Sequence, residues 1–159
     1  MQKTQQIDNY LVTPTKKEYE IISPKYKNVF LSLKINNFDV NPLLVFRAMR
    51  SKDCFYMQKK YPGDKDPYET IMGHEISETI KISGLNPLNK IRKLIENNKS
   101  STYCDENNHN GFFSYFSYEC FQYFDKVPKL KKDPNDCPEC IVMNPGIIST
   151  YDHKEKSIV

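Results

Sequence analysis

Cys137-Pro-Glu-Cys140 is the tightest group of reactive side chains in the sequence. Two thiols at that spacing can share a metal ion, and two such pairs make a closed zinc site. One pair is present here, and Cys104, His109 and Cys120 follow no metal-ligand spacing. The plainer reading is that these are small side chains buried beside a strand. A redox pair fits less well, because no helix follows at once to lower a thiol pKa. His74 beside Glu75 holds the ingredients of acid/base chemistry, yet no serine or cysteine nucleophile with a partner accompanies them, so no catalytic residue is assigned. Phe112 to Phe124 carries eight aromatic rings in thirteen residues. Such rings can stack nucleobases, but no arginine is interleaved, and rings this dense are expected to be core. No P-loop and no G-x-G-x-x-G occurs.

The composition sets bounds on what these residues can serve. At 159 residues, with 38% apolar and 13% aromatic side chains, the chain can bury a core of its own. Its 23 basic and 20 acidic residues leave a net charge of +3, too even a balance to argue for nucleic acid or an anionic membrane. No apolar run approaches the roughly 18 residues that span a bilayer, and the polar start Met1–Gln6 has no signal-peptide core. The expectation is a cytoplasmic protein whose five cysteines are reduced thiols.

The elements that would position these residues follow from periodicity. Residues 1–28 are polar and read as an arm or one first strand. Val29, Leu31, Leu33 and Ile35 alternate, which predicts a strand over 29–35 with those four on one face. Asn41-Pro42 supplies a cap and a proline at the first helical position. A helix to about Arg50 would turn Leu43, Phe46 and Ala48 or Met49 inward. Short strands are expected at 53–58, 69–73 and 76–82, with a turn-rich loop between Tyr61 and Pro67. Asn86-Pro87 repeats the start signal, and Leu88, Ile91, Leu94 and Ile95 form one helical stripe. Residues 97–110 read as a loop and 126–137 as a connector. Strands follow at 140–143 and 146–152. Asp152–Lys156 is then a hairpin turn whose second strand, Ser157-Ile158-Val159, has only begun. That pattern predicts an exposed apolar sheet edge around Ile141–Tyr151. The whole describes an α+β fold, antiparallel sheets with a few short helices, over residues 29–159.

Gly111-Phe-Phe-Ser-Tyr-Phe-Ser-Tyr-Glu-Cys-Phe-Gln-Tyr-Phe-Asp-Lys-Val-Pro128 resembles a stretch typical of anthranilate synthase component I, with Tyr115, Tyr118, Glu119, Tyr123, Phe124, Asp125 and Pro128 fitting its pattern. Asp136-Cys-Pro-Glu-Cys-Ile-Val-Met fits the family's Asp-x-Pro segment, and Thr150-Tyr-Asp-His153 its Phe-Asp-His turn. Upstream, Asn41–Arg50, Ile71-Met-Gly73 and Asn86–Ile95 are in register with the family's early elements. The resemblance covers the amino-terminal domain and implies an absent catalytic domain carrying the chorismate and magnesium ligands. It also implies a glutamine amidotransferase subunit and a separately encoded chorismate-binding domain as partners. The amino-terminal domain of 4-amino-4-deoxychorismate synthase is alike, and a free-standing binding module is the alternative from another class. In the family a Leu-Leu-Glu-Ser strand lines a tryptophan site. Here that position is Phe55, Tyr56, Met57, Gln58 and Lys59, with Gln58 for the acid and Lys59 for the serine, which puts tryptophan inhibition in doubt. Alone the chain is expected to be inactive and to need no cofactor.

Overall fold

The structure is a computed structural model that describes residues 9–83, 87–99, 102–103, 111–123, 125 and 137–159. Its strands and helices are β1 (Tyr10–Thr13), α1 (Lys16–Ile22), β2 (Asn28–Val29), β3 (Ser32–Ile35), α2 (Pro42–Met49), β4 (Phe55–Lys59), β5 (Glu69–Ile82), α3 (Pro87–Lys99), β6 (Thr102–Tyr103), β7 (Phe113–Phe116), β8 (Cys140–Asp152) and β9 (Ser157–Ile158). A 3-10 turn over Tyr118–Tyr123 follows β7. The fold is mixed α+β, with a main sheet whose registered pairs are antiparallel and a few short helices. The described residues fall into two packing units. One draws on Met1–Ile76, Ser101–Asn110 and Pro145–Val159, the other on Ser77–Ser100 and Gly111–Asn144.

In the first unit the strand order is β1-β3-β9-β8-β5-β4. Its core is Met72, Tyr151 and Ile158, with Ile35, Phe38, Val45, Phe46 and Tyr56 packed against it. The start signal for α2 reads as expected: Asn41 Oδ1 accepts from the Leu43 N–H at 2.9 Å, and Pro42 takes the first helical position. The inward face matches expectation at Phe46 and differs elsewhere. Val45 and Phe46 make the contact, while Leu43 and Met49 are exposed. Residues 1–28 hold more than an arm or a strand. Besides β1 they contain α1, nucleated by a capping box in which Thr15 Oγ1 accepts from the Glu18 N–H and the Glu18 carboxylate accepts from the Thr15 N–H at 2.8 Å.

Several expected strands divide or fuse. The alternation over 29–35 is shared between two sheets. Val29 lies in β2, in a small parallel pair with β6 (Asn28 opposite Thr102, Val29 opposite Tyr103), whereas Ser32–Ile35 joins β1. The chain crosses over at Phe30, whose N–H still donates to the Tyr103 carbonyl at 3.2 Å. Leu31 and Leu33 are consequently exposed, at 62% and 47%, and do not form the buried face that alternation suggests. The loop expected over 97–110 also begins late, since α3 reaches Lys99 and β6 follows. Conversely, 69–73 and 76–82 are one strand. Glu75 takes a left-handed φ of 51° and lets β5 bulge without stopping. Likewise 140–143 and 146–152 are one strand, β8, and Gly146 sits where a Cβ would come within 2.9 Å of the Glu75 carbonyl oxygen.

The hairpin turn at Asp152–Lys156 is present. Asp152 Oδ1 accepts from the N–H groups of Lys154 and Glu155, both at 2.8 Å, and Lys156 supplies the left-handed residue. The expected open edge is mostly closed. Ile158 of β9 stands opposite Tyr151 on one side and Ile35 on the other. Thr150 and Val159 exchange both backbone bonds, at 2.7 and 2.9 Å, and β7 takes Cys140–Met143.

The second unit packs Ile82, Cys120, Cys140 and Val142, with Ile80, Ile91, Leu94, Phe112 and Tyr123 around them. The aromatic block contributes to this core only in part. Phe112 and Tyr123 pack against it, while Tyr115, Phe116, Tyr118 and Phe121 are exposed. Ile91 and Leu94 of the α3 stripe pack as expected; Ile95 remains 48% exposed. Asn86, Cys104, His109, Phe124, Pro128, Asp136 and the connector up to that point lie outside the described residues.

Candidate functional site

The strand that carries the effector-site expectation, β4, pairs in register with β5, from Phe55 opposite Gly73 to Lys59 opposite Glu69. The Phe55 ring lies over Gly73, which has no Cβ to hold it off. On the other face Tyr56 tilts against Phe46, ring centroids 5.2 Å apart, and its hydroxyl accepts from Gln58 Nε2 at 3.0 Å. Met57 is half-buried. Lys59 Nζ pairs across the strands with Glu69, which raises the lysine's pKa through that hydrogen bond. The Lys59 cation is therefore paired with its cross-strand neighbour.

A different part of the same unit forms a pocket of about 430 Å³. Phe30, Leu33, Phe38, Met49, Ile148 and Ile158 supply much of its wall, and Ser32, Ser149 and Thr150 add hydroxyls. None of Phe55–Lys59 lines it, and no ionisable side chain does. Its size is in the range of small-molecule sites, and its wall suits an uncharged, largely apolar guest. Sequence reasoning missed it because alternation marks Leu31 and Leu33 as core. Only the crossover at Phe30, dictated by pairing with Tyr103, turns β3 away from β2.

In the second unit the chemistry gathers at Glu139. Its carboxylate accepts from the Tyr123 hydroxyl at 2.6 Å and from Gln122 Nε2 at 3.4 Å, and its carbonyl accepts from the Cys120 thiol at 2.8 Å. Burial pushes the Cys120 and Cys140 thiols up, away from the reactive thiolate. Cys137 is exposed. Among the described residues no three His, Cys, Asp or Glu side chains converge as a metal site. The cluster is a part-buried brace around the buried Cys120 thiol. The sequence signal for it is the glutamate inside Cys-Pro-Glu-Cys, which a reading focused on the thiols passes over.

Tyr123 gives this brace a measurable signature. The hydrogen bond to Glu139 and burial raise its pKa from 10.0 to about 12. The folded state thus keeps a proton that the unfolded state gives up, so the contribution is complete below pH 10 and is lost as pH rises toward 12. Urea unfolding should therefore show stability falling above pH 10, and Tyr123→Phe should flatten that slope. An unchanged slope in the variant would remove Tyr123 as its cause.

His74 is also a buried titratable group. It is fully buried, its ring is 5.3 Å from that of Phe46, and neither ring nitrogen has a hydrogen-bond partner of good geometry. His153, by contrast, is pinned. Its Nε2 lies 2.7 Å from Thr70 Oγ1, and its N–H donates to the Tyr68 carbonyl at 3.1 Å.

No protein-family model and no curated protein matches the chain. Among the described residues no helix is long and apolar enough to cross a membrane.

Proposed function

We propose that this chain is the amino-terminal, non-catalytic domain of a chorismate-using synthase of the anthranilate synthase component I type, or of its folate-pathway counterpart. The observation that carries the reading is the order of elements over 111–159. Phe113–Phe116 pairs with Cys140–Met143, and the Thr150–His153 segment closes β8 into a hairpin where the resemblance has its Phe-Asp-His turn. Magnesium and chorismate belong, in this reading, to a catalytic domain outside the chain, and a glutamine amidotransferase subunit would supply ammonia to it. The β4 strand offers an amino acid's ammonium group no carboxylate of its own, since Gln58 is neutral and Lys59 is held by Glu69. Tryptophan feedback through this strand is accordingly not part of the proposal.

The test is reconstitution. The purified chain with chorismate, magnesium and ammonium should give no anthranilate fluorescence above a heat-killed control. Mixed with a separately produced chorismate-binding catalytic domain, it should co-elute with that domain. Turnover by the chain alone, or failure to associate, would count against the reading. A second reading is favoured by the pocket of about 430 Å³: a free-standing module that binds a small uncharged apolar ligand. Retention of such a ligand without any association with the catalytic domain would select it.

A further inference from the structure

Met72 and His74 stand two residues apart on β5, both fully buried, on the face that α2 covers. Phe46 of α2 rests on His74 and on Tyr56. The helix itself is lightly held. Pro42 is its single buried residue, and Leu43, Leu44 and Met49 are exposed at 37%, 57% and 40%. An element with so few buried side chains opens locally at low cost. Beneath it lies an imidazole with neither ring nitrogen well bonded. A neutral ring tolerates that position, and burial disfavours a charged one more than the Met49 carbonyl and Glu75 favour it.

We propose that His74 is an acid-sensitive latch, which keeps α2 docked on the sheet while neutral and releases it on protonation.

The groups around His74 fit a latch of this sign. On its own strand the Glu75 carboxylate favours the charged ring, and the Met49 carbonyl at the end of α2 does so too. Burial outweighs both and pushes the imidazole below its ordinary value of 6.5. β4 presents Tyr56 and, beyond it, the neutral Gln58. Arg47, Arg50, Lys52 and Asp53, on α2 and in the connector that follows, are exposed to solvent. The Ser51 hydroxyl accepts from the Glu75 N–H at 3.2 Å and fixes the far end of α2 to β5, so the released helix swings on a retained anchor. Above pH 6.5 docked and opened forms are both neutral, and docking is at full strength. As pH falls below 6.5 the opened form takes up a proton that the docked form refuses, and docking weakens. Val45 and Met49 line the pocket of the first unit, so release of α2 also removes one of its walls.

Hydrogen exchange on the full chain tests this directly. Protection factors of the α2 amides should fall as pH drops below 6.5, by at most about tenfold per pH unit, the limiting slope for one proton taken up, until the docked ring itself is protonated, while those of β8 hold. In His74→Leu the α2 protection should no longer depend on pH, which separates His74 from His109 and His153. Equal α2 protection at pH 7.5 and 5.0 in the unaltered chain would overturn the proposal. So would a simultaneous loss in α2 and β8, or acid sensitivity that survives in His74→Leu. If that variant does not fold, ring titration of His74 in the unaltered chain, followed by NMR alongside the α2 amides, decides the same question. The two must change together.

Discussion

Met72→Ala should remove about 2–5 kcal/mol of stability, the cost of truncating a fully buried long apolar side chain whose surroundings collapse only in part. Met72 is 0% exposed and belongs to the first unit's core, a cluster with Tyr151 and Ile158 against which Ile35, Val45, Phe46 and Tyr56 pack. Its thioether chain fills the space between rings that cannot easily move toward one another, because Tyr56 is held by Phe46 and Tyr151 packs edge-on against Phe38 at 6.5 Å. Met72→Leu keeps the volume and should cost less than about 1.5 kcal/mol. Urea unfolding of both variants measures the difference. An alanine variant within 1 kcal/mol of the parent would mean that this core is far looser than its burial indicates.

Gly73→Ala should destabilise by about 1–3 kcal/mol, the usual cost of forcing extra volume into a packed site. A Cβ at Gly73 would overlap the Phe55 ring. The ring belongs to the directly opposed residue of the neighbouring strand, so it cannot give way without leaving the glycine it covers. The effect should therefore be non-additive. Phe55→Ala alone loses the ring's contact, and Gly73→Ala in that background should be nearly neutral. A double-mutant cycle with a coupling energy close to zero would show that something other than the ring sets the cost at Gly73.

Much of the architecture was legible because local signals agreed with long-range ones. Asn41-Pro42 starts α2, the polar turn at 152–156 makes the β8–β9 hairpin, and Ile91 with Leu94 marks the buried side of α3. The misreadings share one physical origin. Alternation reports which residues could face a core, but not which sheet the strand will join. Val29 to Ile35 was therefore one strand in the sequence and two in the fold. His74 and Glu75 had the look of a strand end, because a non-glycine left-handed bulge leaves no mark on composition. α1 could have been found from Thr15-Lys-Lys-Glu18, a capping box with its acid in place. The pocket could not, since its walls come from Phe30–Met49 and Pro145–Val159, segments far apart in sequence. On β4, Gln58 and Lys59 are read directly from the sequence, but the Glu69 partner of the lysine follows only from the strand pairing.

The place of β9 has a consequence for how the chain is made. β3 reaches the main sheet through β9, with Ile35 set against Ile158. Ile35 leaves the ribosome well before Ile158, with most of the described elements made in between. Until then β1 and β3 can exist only as a two-stranded ribbon, bearing the exposed Tyr10, Leu11, Val12 and Leu33, and such ribbons are marginal in water. The ribbon is thus a waiting guest during synthesis. Ile158 is the seat it waits for, and the interval in between is when the nascent chain most needs a chaperone's cover.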